Sequence, residues 1–190
     1  MVVKMNPQET KWNKANISYN NYLKHLRRKR NRFSLTMIDL LYIRNFKGLN
    51  SSIHEPEQKV KTKLKEYSTK LHKISLEFDN RELKDLCNNQ LNDLLGLLSE
   101  FLVLTKKHDT KIDGFNTIRA ISLLHFYFPK LFPIMDRRVV IAALPKLKGK
   151  KQNGDMYKCL IKKYYKELNK KCNVNKTLRD LDKEYFIQST

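Results

Sequence analysis

Residues 60–74 read VKTKLKEYSTKLHKI, and the apolar members Val60, Leu64, Tyr67, Leu71 and Ile74 fall at spacings of four, three, four and three. That repeat matches 3.6 residues per turn and puts all five on one face of a helix. Lys59, Lys61, Lys63, Lys65 and Lys70 occupy the rest of its circumference. Pro56 stands where a first helical residue tolerates a missing N–H.

The same periodicity extends in both directions. Downstream, Asp79 with Glu82 three positions on predicts a capping box. It would open one core helix through Leu83, Leu86, Leu91, Leu94, Leu95, Leu97, Leu98, Phe101 and Leu102, the largest apolar mass in the chain. Upstream, Phe33–Ile43 is dense enough in apolar residues to be buried; Gly48 breaks it, and a turn runs through Ser51, Ser52 and His54. A first helix is expected over roughly Trp12–Arg32. Towards the end, Tyr157, Leu160, Ile161, Tyr164 and Leu168 share one helical face, and a last helix from about Asn175 to Ile187 turns Leu178, Leu181, Tyr185 and Phe186 inward.

With only five glycines and five prolines in 190 residues, sharp turns are few and long helices are the economical solution. Hairpin signals are nearly absent, since Asn153-Gly154 sits in a lysine-rich stretch rather than between alternating apolar runs. The expectation is an all-α protein: a single compact domain of about seven to nine helices with a helix-hairpin-helix-like turn. Residues 1–190 form one unit, with 1–11 a flexible N-terminus and 146–154 a basic loop.

Thirty-nine Lys and Arg against nineteen Asp and Glu give a formal charge of +20. Adaptation to temperature adds Glu together with Lys, and here the acids do not keep pace. Such a field favours polyanions and opposes self-association, so a monomer meeting phosphate backbones is the expected state. Three cysteines, Cys87, Cys159 and Cys172, form no CxxC pair, which indicates neither a disulfide framework nor a metal site. No apolar run approaches a membrane span and the N-terminus lacks the apolar core of a signal sequence. A cytoplasmic protein is expected, nucleoid-associated in a bacterium or archaeon, with no membrane contact and no cofactor.

The chemistry is expected between Asp113 and Leu144. This segment divides into a tight turn at Asp113-Gly114-Phe115-Asn116, a helix from about Thr117 to Phe128, a proline-bounded loop from Pro129 to Pro133, and a helix Arg137–Leu144 opened by Asp136. The amides at the start of the Thr117 helix can meet a DNA phosphate, positioning the backbone without reading sequence. Asp136 sits where an N-cap carboxylate accepts backbone N–H groups.

On these residues the segment resembles the helix-hairpin-helix-GPD superfamily of DNA glycosylases. Gly114 matches the first hairpin glycine, Ala120 the alanine of the second helix, Asp136 the catalytic aspartate and Val139 the valine after it; Ala120 and Asp136 lie sixteen positions apart, 136 minus 120. Asn116 replaces the second hairpin glycine and Asp113 a proline. Ile118 occupies the Schiff-base lysine position, so the resemblance implies a monofunctional enzyme without lyase chemistry. It further implies that a base is flipped into an aromatic pocket, with Asp136 stabilising charge on the sugar. Tyr127, Tyr42 and Trp12, with Phe126, are the candidate stacking groups and His125 the candidate proton donor. Each has a packing alternative: Phe126 and Phe128 lie in an apolar corner, His125 without a carboxylate is an ordinary hydrogen-bonded imidazole, and Asp136 serves equally as a plain cap.

Phosphate contacts are expected from Gly114, Asn116, Thr117 and Arg119 at the hairpin, and from Arg137 and Arg138 beside the aspartate. Two further clusters contribute, Arg27, Arg28, Lys29, Arg30 and Arg32, and Lys146, Lys148, Lys150 and Lys151. Three functions fit this pattern: a base-excision glycosylase, a non-catalytic DNA- or RNA-binding accessory of host defence or a mobile element, and an interaction domain for an acidic partner.

Overall fold

The computed structural model describes residues 7–46, 53–170 and 176–188. Gly48, Ser51, Ser52, Cys172 and Asn175 lie outside them. Helix α1 (Pro7–Arg28) opens on a proline, whose absent N–H is harmless in a first turn. It thus begins well before Trp12 and takes in residues 7–11, which were expected to be flexible. It ends four residues before Arg32. The chain there folds into a turn in which Lys29 Nζ donates to the Ser34 carbonyl at 2.7 Å and to Asp39 Oδ2 at 2.8 Å.

Helix α2 (Met37–Phe46) starts from a reciprocal cap. The Asp39 carboxylate accepts from the Thr36 backbone N–H at 2.7 Å and from its hydroxyl at 2.9 Å, while Asp39 N–H returns to the Thr36 carbonyl. Asp39 is fully buried and also accepts from the Tyr22 hydroxyl at 2.9 Å, tying α2 to α1.

Helix α3 (Glu57–Phe78) buries Val60, Leu64, Tyr67, Leu71 and Ile74, the stripe that its spacing predicts. It lies against α4 (Asn88–Val103), where Tyr67 meets Phe101 edge-on at 5.5 Å and Phe115 at 5.4 Å. The core helix does not start at Leu83. Asp79 closes α3, donating its N–H to the Ser75 carbonyl at 2.9 Å, and Asn80 takes the left-handed conformation (φ 61°) that an asparagine tolerates after a helix. Leu83–Asp85 form a separate 3₁₀ turn pinned by the Leu83 N–H to the Lys130 carbonyl, and Glu82 pairs with Lys130 instead of capping. The working box lies one turn later, with Gln90 Oε1 accepting from the Cys87 N–H at 3.0 Å.

Helices α5 (Thr117–Tyr127), α6 (Arg137–Ala143), α7 (Gly154–Leu168) and α8 (Leu178–Gln188) complete an all-α domain of eight helices, with no strand among the described residues. Helix α8 packs along α6 and touches α1 and α7, so the first and last helices meet. Thr177 and Asp180 form its starting box, with the Thr177 N–H reaching Asp180 at 2.9 Å. The loop before α6 is clamped from the rear. Tyr157 of α7 donates its hydroxyl to the Pro133 carbonyl at 2.6 Å, and the buried Asp182 of α8 accepts the Ile134 N–H at 3.2 Å and the Tyr164 hydroxyl at 3.2 Å. These buried polar contacts fix where Asp136 stands.

Candidate nucleic-acid interface

The N-terminus of α6 divides two concavities. Asp136 caps the helix, its Oδ1 accepting the Arg138 N–H at 2.9 Å. It also lines a cavity of about 130 Å³ together with Trp12, Phe46, Val139, Arg179 and Phe186. The Arg179 guanidinium carbon lies 4.1 Å from the Trp12 ring centre and 4.4 Å from that of Tyr19, and Nη2 donates to Asn16 Oδ1 at 2.6 Å. Burial lowers the Arg179 pKa and the nearby Asp182 carboxylate opposes that shift, which keeps a cation at the pocket wall.

On the other side of α6, Arg137, Lys150 and Lys151 border a concavity of about 300 Å³ with Gly149 and Gln152, floored by Val140, Ile141 and Leu147. The loop reaches back over α6 because Pro145–Leu147 form a 3₁₀ turn, and Gly149 takes φ 84°, a backbone state that favours glycine. Asn153 then restarts the chain as α7 by accepting the Met156 N–H at 2.9 Å. Arg137, Lys146, Lys148, Lys150 and Lys151 are exposed, and none makes a salt bridge among the described residues. The lysines of α3 differ. Lys61 pairs with Glu57 at 2.7 Å, Lys63 with Glu55, and Lys70 and Lys73 share Glu100. The positive charge beside α6 is therefore less compensated than that along α3.

Other expected site residues are placed elsewhere. His125 is fully buried and its Nδ1 donates to the Phe132 carbonyl at 2.7 Å, an imidazole that holds a turn. Tyr127 is 1 % exposed, with its hydroxyl 3.3 Å from Lys29 Nζ, and burial pushes its pKa far up. Tyr42 is half-buried, stacked on Tyr22 at 4.9 Å and on His25 at 5.1 Å. None of the three borders the Asp136 cavity; of the candidate pocket group only Trp12 does.

The basic cluster after α1 divides as well. Arg27, Arg28, Arg30 and Arg32 are exposed, although Arg32 donates to the Tyr127 carbonyl at 2.8 Å. Lys29 is committed to Asp39, with 9 % of its side chain exposed, so it is a core contact and not a free phosphate ligand.

At the hairpin, Gly114 has φ 80°, and Ile112 and Phe115 form an isolated bridge across it. The turn does not join two helices directly, because residues 104–116 separate α4 from α5. Asn116 caps α5 by accepting the Arg119 N–H at 3.2 Å, and Thr117 meets Thr105 through their hydroxyls at 3.1 Å. Arg119 folds back to donate to the Gly114 carbonyl at 2.9 Å, its pKa lowered by burial and by Arg44. The polar groups expected to face phosphate there largely serve the turn itself.

Among the described residues no group of three or more His, Cys, Asp or Glu is arranged for a metal, and Cys87 and Cys159 are free and exposed. Among the described residues no helix is long and apolar enough to cross a membrane. No protein-family model, curated protein or solved structure matches this chain.

Proposed function

We propose that this chain binds nucleic acid through the basic concavity beside α6, on a scaffold similar to the helix-hairpin-helix DNA glycosylases. The observation that carries this reading is the grouping of Arg137, Lys150 and Lys151 around one hollow that, among the described residues, no acidic side chain lines. Three unpaired cations on a chain of charge +20 suit a run of phosphates. Contacts of this type position a backbone and release counterions. Each phosphate engaged adds about 0.9 to the slope of log affinity against log salt, so three contribute about 2.7. Titration of labelled duplex and single-stranded DNA over a salt series tests the reading. An affinity that ignores salt would favour an apolar protein partner instead.

A second reading, base release, is favoured by the position of Asp136 in the wall of an aromatic cavity next to those cations. Its carboxylate would stabilise positive charge on the sugar as the bond to the base breaks, and water would then add at the anomeric carbon. Asn retains the capping oxygen. Asp136→Asn should therefore abolish alkali-labile sites in duplexes carrying uracil, 8-oxoguanine or alkylated bases, while leaving duplex affinity intact. Loss of folding in that variant would reduce Asp136 to a cap.

A further inference from the structure

Between the turn after α1 and helix α3 lies a groove of about 490 Å³, and among the described residues no acidic side chain lines it. Lys65, Thr69 and His72 recur at spacings of four and three, so one face of α3 forms its first wall. Asn31, Phe33 and Ser34 form the other. The Leu35 N–H donates to Ser68 Oγ at 2.9 Å and closes the floor between them. Phe33 is half-buried, packed on Tyr127 at 5.8 Å and on Phe128 at 6.2 Å, and its ring meets His72 edge-on at 5.8 Å.

Charge and apolar surface are laid out along this groove. Lys59, Lys61, Lys63, Lys70 and Lys73 of α3 each face a glutamate, whereas Lys65 is exposed and makes no salt bridge among the described residues. Arg30, beside Asn31 in the turn, is exposed as well. One turn beyond His72 on the same face of α3, Leu76 is 74 % exposed, the most of any large apolar side chain among the described residues. From Lys65 to Leu76 the helix runs about 16 Å, room for several nucleotides at the roughly 3.4 Å per residue of a stacked strand.

Volume and exposure decide what fits. Ordinary small-molecule sites of roughly 300–1,000 Å³ bury most of their ligand, but here Asn31, Ser34, Lys65, Thr69 and His72 are all exposed, which suits a chain passing through. A double helix does not enter, because a hollow of this volume is about 8 Å across and the major groove of B-DNA alone is about 12 Å wide. A duplex also keeps its bases stacked inside, whereas unpaired bases can lie against ring and apolar side chains.

We infer that this groove holds an unpaired nucleic-acid strand, with a phosphate at Lys65 and bases against Phe33, His72 and Leu76. The inference rests on the nucleic-acid reading and adds to it the state of the strand at a second place. The α6 site adjoins Trp12 near the start of α1, and the groove adjoins the far end of that helix, where Lys29 holds Ser34, about 24 Å away.

Fluorescence anisotropy of end-labelled probes with the full-length protein tests it. Oligothymidylate, the same sugar–phosphate strand without bases, and a blunt duplex of equal length are compared at one salt concentration. Base contacts are expected to favour oligothymidylate over the abasic strand by at least about tenfold. Lys65→Ala/His72→Ala/Leu76→Ala changes three exposed positions of α3. It should cancel that preference while changing duplex affinity less than about threefold, with circular dichroism verifying helix content.

Equal affinity of the unmodified protein for the two single strands overturns the inference, and this arm needs no variant. A folded variant that keeps the preference, or that loses strand and duplex alike, overturns it too. Any of these beside salt-dependent duplex binding by the unmodified protein removes the groove alone. Base-selective strand binding that survives Arg137→Ala/Lys150→Ala/Lys151→Ala, with an unchanged salt slope for the duplex, removes the α6 assignment alone. No salt-dependent binding to any probe removes both.

Discussion

Replacing Asp39 with alanine separates structural from functional charge in the basic cluster after α1. The carboxylate is fully buried and accepts from Tyr22, Lys29, and both the N–H and hydroxyl of Thr36, at 2.7–2.9 Å. Its removal leaves the Lys29 ammonium with only the Ser34 carbonyl and the Tyr127 hydroxyl, and strips the cap from α2. Breaking a buried ion pair from one side costs about 3–5 kcal/mol. Lys29 keeps those two partners, so a value near 3 kcal/mol is expected, a large part of the roughly 5–15 kcal/mol that holds a domain of this kind together. With a urea m-value of about 2 kcal/mol/M, the midpoint should fall by about 1.5 M. Asp39→Ala with Lys29→Met should recover part of the loss, because the stranded charge goes too. A shift below about 1 kcal/mol, or a double variant no better than the single, would refute this assignment of Lys29.

Within the same cluster, Arg28→Ala and Arg30→Ala should weaken DNA binding while changing stability by less than about 0.5 kcal/mol, whereas Lys29→Ala should show the reverse in paired binding and denaturation measurements. Tyr157→Phe removes the buried hydroxyl that holds Pro133; a loss of about 1 kcal/mol by urea denaturation is expected, with no change in helix content. Glu82 is held below its ordinary pKa of 4.5, first by the hydrogen bond from Lys130 and then by that from Lys84, against opposing burial. A carboxylate with a depressed folded-state pKa stabilises fully above its unfolded value and loses that contribution as pH falls through the folded one. Glu82→Gln should therefore flatten the acid limb of stability below about pH 4.5, and an unchanged limb would rule the pair out as a contributor.

The helix pattern is legible where one face is apolar and the opposite face charged, as over residues 60–74 and 156–168, because burial there follows directly from spacing. Helix starts were harder to place. Asp79 and Glu82 satisfy the capping pattern as well as Thr36 with Asp39 or Thr177 with Asp180; Asp79 is instead spent closing α3, and the contacts of Glu82 and Leu83 to Lys130, far along the chain, decide against the box. The carboxylate at Asp136 and the lysine loop can be read from the local sequence. Arg179 cannot, since its role depends on Trp12 and Tyr19 at the opposite end of the chain. Nor does composition tell that Lys29 is half-buried against Asp39 while its neighbours are exposed, or that His125 and Tyr127 point into the core; tertiary packing settles both.

The most direct measurement is the salt dependence of duplex DNA binding for the unmodified chain and for the Arg137→Ala/Lys150→Ala/Lys151→Ala variant. Three phosphate contacts at α6 should steepen the log–log slope of the unmodified chain by about 2.7 relative to the variant, which remains folded. Equal slopes, or an affinity for DNA that salt leaves untouched, would contradict a nucleic-acid interface at this helix.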